Sequence, residues 1–489
     1  MDNRLITFAV TAAICLASCS NDEVMEQNSD PKGKAITFYA KVGHSTRADE
    51  TNISNLGNFY VFAKSVHPDG TLYSAYLVGS ETGTVFNPET AERKDETSTG
   101  SEGSTTVSTW SLGHDVYLPS GINDAVFWAF TDGQKDKEPI LSSGTISFDH
   151  NEGPGINGYT PATAGNNSLV REEQTIWADG SQQKDLVSAF GQAKQSGTLS
   201  NIIHLNFNHL LSQVTINAAQ KAKADNDHRI VKVKGAWIVN VKNKADLSAG
   251  YKYDKNNQIG ADHPKWNLDG ATFTQYGTYF KNPIDLSSYT GNNENGWRDL
   301  TFSSLMLIPQ ENTAWNAADD SKFKGTTTAY IMLLCRVELK HAGVKHDDNT
   351  DISDIYIEGD NHYHQQFPVP VNADKKYNPN EYGLTCIPVP INWEKGIHYT
   401  FNLDICGSKS GAGVYPPDYD STEILNLIPE SERNNITITA IPTDKKPGDP
   451  VLDEPIKFTV EVKKWIDDDK PWTNGTDNTD TTGESSDNN

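Results

Sequence analysis

The chain has 489 residues, enough for two or more domains, and a formal net charge of −24. An acidic surface of this kind repels phosphate backbones, and no basic arm or Lys/Arg cluster offsets it, so nucleic acid is excluded as a partner. Past residue 18, no apolar run approaches the ~20 residues that a membrane-spanning helix needs.

Arg4 and the short apolar run that follows it read as a secretory signal peptide over residues 1–18. The run ends in Leu16-Ala17-Ser18-Cys19, which looks like a bacterial lipobox. The expected cut lies between Ser18 and Cys19, with lipid, palmitate included, on the Cys19 thiol. Several acyl chains on one residue anchor firmly, whereas a single chain binds marginally at ~0.8 kcal/mol per buried CH₂. The following Ser20-Asn21-Asp22-Glu23 looks like an acidic export tag. The expected location is therefore the cell surface, on the outer membrane, with residues 19–34 as a lipidated flexible tether.

Beyond the tether the dominant signal is alternation with period two, the pattern of a half-buried strand. Ile36, Phe38, Ala40 and Val42 share one face of a strand over 35–42, and Thr37, Tyr39 and Lys41 share the other. Residues 43–57 form a polar loop containing Thr46-Arg47-Ala48, and 59–66 is a second strand. Residues 80–109 and 150–200, rich in Gly, Ser, Thr and Asn, read as long loops. One short helix is expected at 186–193, with Asp185 as its N-cap. The apolar stretch 202–217 and the run 230–241, separated by a polar turn, read as a hairpin. Later strands are expected at 328–339, 384–390, 399–405 and 436–441. The final one alternates cleanly, with Ile456, Phe458, Val460 and Val462 inward. Residues 467–489 are an acidic, disordered tail.

Many short strands separated by turn signals imply an all-β chain of sandwiches. The reading is an N-terminal β-sandwich over 35–200 and a C-terminal one over 201–466.

Enzyme signatures are missing: there is no GxSxG, HExxH, CxxC or phosphate-binding Gly-Lys-Ser/Thr loop, and no carboxylate pair stands out. No catalytic residue and no cofactor is assigned. His362 and His364, near Glu358 and Asp360, read either as a metal pair on one strand face or as a polar loop; the loop is preferred, and no metal site is assigned. His204 and His209 read as half-buried strand histidines. The segment Asp347-Asp348-Asn349-Thr350-Asp351, followed by Glu358, partly mimics a calcium loop, yet Ile352 stands where the sharp turn requires glycine. An acidic turn is the better reading. Three cysteines follow the lipobox: Cys335 reads as a buried small hydrophobe, and Cys386 and Cys406 are a candidate bridge between neighbouring strands. Trp237, Trp393 and Trp465 border strands, where packing outweighs a sugar-stacking role.

Several segments together resemble the fimbrillin family, the lipoprotein precursors of fimbriae (type V pilus-like) in anaerobic oral and gut bacteria. They are the lipobox ending at Cys19, the strand 35–42, the Arg47-Ala48 loop, and Phe207-Asn-His-Leu-Leu-Ser-Gln-Val214. The stretches 390–403 and 456–465 complete the set, in order along the chain. The resemblance implies two tandem transthyretin-like β-sandwich domains and a fimbrial subunit or adhesin, not an enzyme. It also implies cleavage by an arginine-specific protease between Arg47 and Ala48. A strand from a neighbouring fimbrial subunit then fills the groove left by the first strand. One feature departs from a shaft subunit: Ile466-Asp467-Asp468-Asp469-Lys470 is a poor groove filler, so an accessory, tip-like or unpolymerised role is equally open. The alternative reading is a surface glycan-binding lipoprotein that captures polysaccharide. The receptor is not identified by sequence.

Overall fold

The computed structural model describes residues 35–464, apart from 43–54, 134–139, 162–168, 177–182, 195–200, 222–228, 250–263, 288–295, 319–327, 343–354, 370–377 and stretches of five residues or fewer. The signal peptide, the tether with Cys19, the Arg47-Ala48 pair, the Asp347–Asp351 run, Trp465 and the acidic tail lie outside the described residues. Among the described residues no helix is long and apolar enough to cross a membrane. The protein is nearly all β among the described residues, as the alternation implies, with one short helix at Ser421–Leu425 and a 3₁₀ turn at Glu430–Asn435.

The first sheet closes on itself. Seven of its eight strands make the ring: β1 (Thr37–Val42), β2 (Phe59–Val66), β3 (Glu89–Gly100), β4 (Gly103–Ser111), β5 (Asp124–Thr131), β6 (Val187–Lys194) and β7 (Ile202–His209); the eighth, Leu72–Val78, pairs with β2 beside it. Pairing runs β2-β3-β4-β1-β7-β6-β5 and returns to β2, so the ring leaves no open edge. Alternate residues point into it: Phe38, Phe59, Val61, Trp110, Phe127, Val187, Leu205 and Phe207 form one buried cluster.

Two expectations fail here for tertiary reasons. The segment 187–194 is a strand, because Val187, Ala189 and Ala193 face the ring interior with period two while β5 and β7 pair with it on both sides. Sheet pairing outweighs the modest helix propensity of its Ala and Gln. Gly191 belongs to the same design, since a Cβ there would meet Leu205 Cδ2 at 2.8 Å. Most of the stretch 80–109, read as loop, belongs to the β3–β4 hairpin, Glu89–Gly100 and Gly103–Ser111. Its exposed outer part is held by cross-strand hydroxyl pairs, Thr97–Thr106 at 2.9 Å and Thr99–Ser104 at 3.2 Å.

The chain changes sheet at Leu210-Leu211. β7 alternates exposed and buried residues, as a one-sided barrel strand does, whereas β8 (Ser212–Ala219) is buried on both faces. The expected hairpin between 202–217 and 230–241 therefore does not form. β8 instead pairs in parallel with a distant strand, Ile397–Asp404, and β9 (Arg229–Lys242) pairs with β10 (Phe273–Asp285) and β11 (Thr328–Ala342). β11 also pairs with β12 (Glu381–Pro388) and with Asn361–Phe367. The smaller sheet runs from Arg298–Asp299 through β8 and β13 (Ile397–Asp404) to β14 (Lys457–Lys464). Val214, Ile216, Val231, Ile238, Ile331, Leu333, Phe401 and Leu403 share the second core between these layers. A further four-stranded sheet joins Thr145–Asp149 and Gly153–Tyr159 to Ala245–Ser248 and Lys265–Asn267, so the two halves of the chain interlock.

The final strand departs from its expected burial. Ile456 is buried and Phe458 half-buried, but Val460 and Val462 are 41% and 60% exposed. They lie on the same sheet face as Phe401 and Tyr399, beyond the reach of the opposing layer. The candidate Cys386–Cys406 bridge does not form either: Cys335, Cys386 and Cys406 are all buried, and none of the three is in a disulfide. Burial pushes the Cys335 and Cys386 thiols upward, so they behave as small hydrophobes.

Candidate functional site

β1 occupies a narrow seat in the barrel wall. On one side it runs parallel to β7 through six register positions, from Thr37–Ile202 to Val42–Phe207. On the other it meets β4 at a single position, Phe38–Trp110. The seat is therefore strongly paired on one edge and barely paired on the other. Ile36, Phe38 and Ala40 project inward and are buried, as their alternation predicts, and Val42 packs against the same core half-buried. The Phe38 ring makes edge contacts with Phe59 and Phe127, each at 5.9 Å between centroids. Phe59 in turn contacts Phe207 at 5.2 Å and Trp110 at 5.8 Å.

The start of β1 is pinned by backbone. The Ile36 N–H donates to the Val116 carbonyl at 2.8 Å, and the Thr37 N–H donates to the Asn201 carbonyl at 2.9 Å. The Asn201 side-chain amide donates to the Ala35 carbonyl at 2.7 Å. β4 is held by side chains to β3 and to the segment that precedes β2, not to β1. Trp110 Nε1–H donates to the Gly57 carbonyl at 2.8 Å. Arg93, above the Trp110 ring, donates to the Leu56 carbonyl at 2.6 Å, Asp95 at 2.7 Å and Ser108 at 2.8 Å. On the outer face the Tyr39 and His204 rings lie 6.0 Å apart. His204 is exposed on that face, not half-buried as expected, although partial desolvation lowers its pKa.

The other sequence candidates do not converge. His362 and His364 lie on a strand, Asn361–Phe367, not in a polar loop, with His362 buried and His364 half-buried. Among the described residues no three His, Cys, Asp or Glu side chains gather as a metal site would require. The seven described tryptophans are buried or half-buried, with Trp237 flat over Gly235 and Gly277, where any Cβ would collide with its ring or backbone.

Three buried polar pairings escape sequence reading, although His209 reads as a half-buried strand histidine and Asp185 as a helix N-cap. His209 Nδ1 lies 2.7 Å from Asp185 at the point where the chain leaves the barrel, both side chains fully buried. Arg336 pairs with Glu338, which also takes a 3.1 Å bond from Lys232. Thr215 joins Ser304 at 2.6 Å and His398 at 2.9 Å, a hydroxyl–imidazole chain. Their partners are 24 to 183 positions apart except for Arg336–Glu338, so only local strand parity hinted at that one pair.

No family model matches the chain, and no curated protein matches its sequence. Its fold is similar to that of several solved structures. One is a fimbrial protein from Bacteroides vulgatus, with a TM-score of 0.38 at 14% identity, covering 88% of this chain and 99% of that one. Another is a candidate cell adhesion protein from Bacteroides eggerthii, at 0.36 and 10% identity, covering 89% and 97%. A third, a candidate cell adhesion protein from Parabacteroides distasonis, scores 0.34 at 9% identity and covers 88% and 100%.

Proposed function

We propose that this chain is a non-enzymatic, lipid-anchored cell-surface protein of the fimbrial-subunit or adhesin class, in which β1 is a replaceable strand. In this reading Cys19 carries the outer-membrane anchor, and cleavage between Arg47 and Ala48 frees β1 from the rest of the barrel. The two units in this reading are the closed first sheet and the layered second half, and the chain passes from one to the other at Leu210-Leu211. The observation that carries the reading is the asymmetry of the β1 seat: six ladder positions on the β7 side against one on the β4 side. Removing β1 would uncover an apolar slot lined by Phe59, Phe127 and Phe207 together with an unpaired β7 edge, and a donated strand satisfies both at once. The lost burial is about 1.5–3 kcal/mol for each of the larger side chains, so an empty seat is a poor resting state. The polar run after Trp465 suits a subunit that accepts a strand better than one that donates it. The glycan-capture reading rests on exposed aromatics, and none of the described tryptophans is exposed.

The test is treatment of the purified chain with an arginine-specific protease in the presence of a fluorescent peptide carrying residues 35–42. A new Ala48 terminus together with stable peptide uptake is expected, and Arg47→Ala should prevent both. Cleavage at Arg47 without any exchange of β1 for the peptide would show that the strand is a permanent part of the barrel. Loss of palmitate labelling in Cys19→Ala tests the anchor separately.

A further inference from the structure

β14 forms the outer edge of the smaller sheet and, among the described residues, pairs only with β13. Leu403, Phe401 and Tyr399 of β13 stand opposite Phe458, Val460 and Val462 in register. The three β13 side chains are buried in the second core, but the β14 row rises out of it, from half-buried Phe458 to Val460 at 41% and Val462 at 60% exposure. Polar residues occupy the opposite face: Lys457, Thr459, Glu461 and Lys463, with Lys463 Nζ 3.6 Å from Glu461 and the Asn402 amide donating to Glu461 at 2.9 Å.

The hydrogen-bonding direction of this edge can be read from Ser410. Its hydroxyl accepts from the Lys457 N–H at 2.9 Å and donates to the carbonyl of Asp404, the residue opposite Lys457 in the ladder. Odd-numbered residues of β14 therefore turn their backbone groups toward β13. Phe458, Val460 and Val462 turn theirs outward, the same residues whose side chains form the exposed apolar row. A long edge that combines free backbone groups with an apolar row is a template for another strand, and the lysines that would blunt it lie on the other face or at its end.

We propose that the occupant of this edge is β14 of a second copy, paired antiparallel on a two-fold axis through Val460. The strand is self-complementary in that register. Val460 meets the partner's Val460, and Phe458 meets the partner's Val462, so the two short apolar rows become one continuous row across the joint sheet. On the other face Thr459 meets the partner's Glu461, and Lys457 stands opposite the partner's Lys463 with the partner's Glu461 on the diagonal between them, so that carboxylate lies within reach of both ammonium groups and offsets their repulsion. An axis through Glu461 would set that carboxylate against its own copy, and one through Thr459 would leave Val462 beyond the end of the pairing. A two-fold contact of this kind closes on itself, so it gives a dimer and not a filament. It uses no residue of the β1 seat.

The experiment uses the full chain carrying Cys19→Ala and Arg47→Ala, which removes lipid and strand release from the outcome. Sedimentation velocity from 1 to 100 µM, concentrations chosen on the order of typical weak-dimer affinities, should show a concentration-dependent dimer. Val460→Pro removes an outward N–H without touching the β13 ladder, and Val462→Lys places charge in the apolar row. Each should shift the protein to monomer, at least tenfold in dissociation constant, with unchanged circular dichroism and melting. Val460→Cys, at the axis, should form an intermolecular disulfide under mild oxidant and Thr459→Cys should not. A monomer throughout the range, a dimer indifferent to both edge variants, or preferential cross-linking through Thr459→Cys would each overturn the proposal.

Discussion

β1 and β14 are near twins in sequence and opposites in the fold. Each has apolar residues at every second position and polar residues between them, and each is the first or last described strand of its half. β1 lies inside a closed ring, where Phe38 is enclosed by Phe59 and Phe127 and is fully buried. β14 lies at a sheet margin, where Val462 shares a face with buried Tyr399 yet keeps most of its surface in solvent. Alternation thus reports that residues share a face. Whether that face is covered depends on what arrives from elsewhere in the chain.

The sharpest way to break this comparison is to truncate both strands. Phe38→Ala should destabilise the barrel by about 3–5 kcal/mol, through lost transfer energy and a residual cavity. Val462→Ala should stay within about 0.5 kcal/mol in the monomer, as exposed positions do. Thermal or urea unfolding measures both, and similar losses would mean that the exposure difference has no energetic content.

Covered positions in the second half should behave like Phe38 even when they are charged. Removing Glu338 as Glu338→Leu leaves Arg336 buried without its carboxylate, although its guanidinium still donates to the Asn378 and Glu381 carbonyls. A loss of about 3 kcal/mol is expected in urea unfolding, because one partner of a buried pair has been deleted. A smaller but clear effect is expected from Gly191→Ala, whose methyl would press on Leu205 and Ile203 inside the ring. About 1–3 kcal/mol of overpacking should appear in the melting of the barrel, and no loss at all would show that β6 and β7 can separate freely.

The smallest effect separates the two faces of the β1 seat itself. The folded pKa of His204 is lowered by partial desolvation, so the unfolded chain binds its proton more readily. Stability from this group is therefore full above the unfolded value of about 6.5 and falls as the pH drops through and below it. His204→Gln should flatten barrel stability between pH 7.5 and 5.5, a window chosen around that value. A pH slope unchanged by the substitution would place its origin at another group.

Much of the β1 strand was legible beforehand: Ile36, Phe38 and Ala40 are inward because an extended chain turns successive side chains to opposite sides. Its seat was not. The parallel partner β7 lies some 165 positions away along the chain, and the weak β4 contact arises from a hairpin whose Ser/Thr-rich sequence resembles loop. The same holds for His209 and Asp185, joined only because β6 and β7 end side by side.

By itself the sequence determined the all-β class, the strands at 59–66, 328–339 and 399–405, and the inward face of β1. These follow from local stereochemistry, which every residue carries with it. Tertiary structure alone decided that the first sheet closes into a ring, that 187–194 is a strand, that 202–217 divides between two sheets, and that the row ending at Val462 stands uncovered. Those outcomes rest on pairings between segments far apart in the chain, and a local pattern of hydrophobicity holds no record of which distant segment will supply the cover.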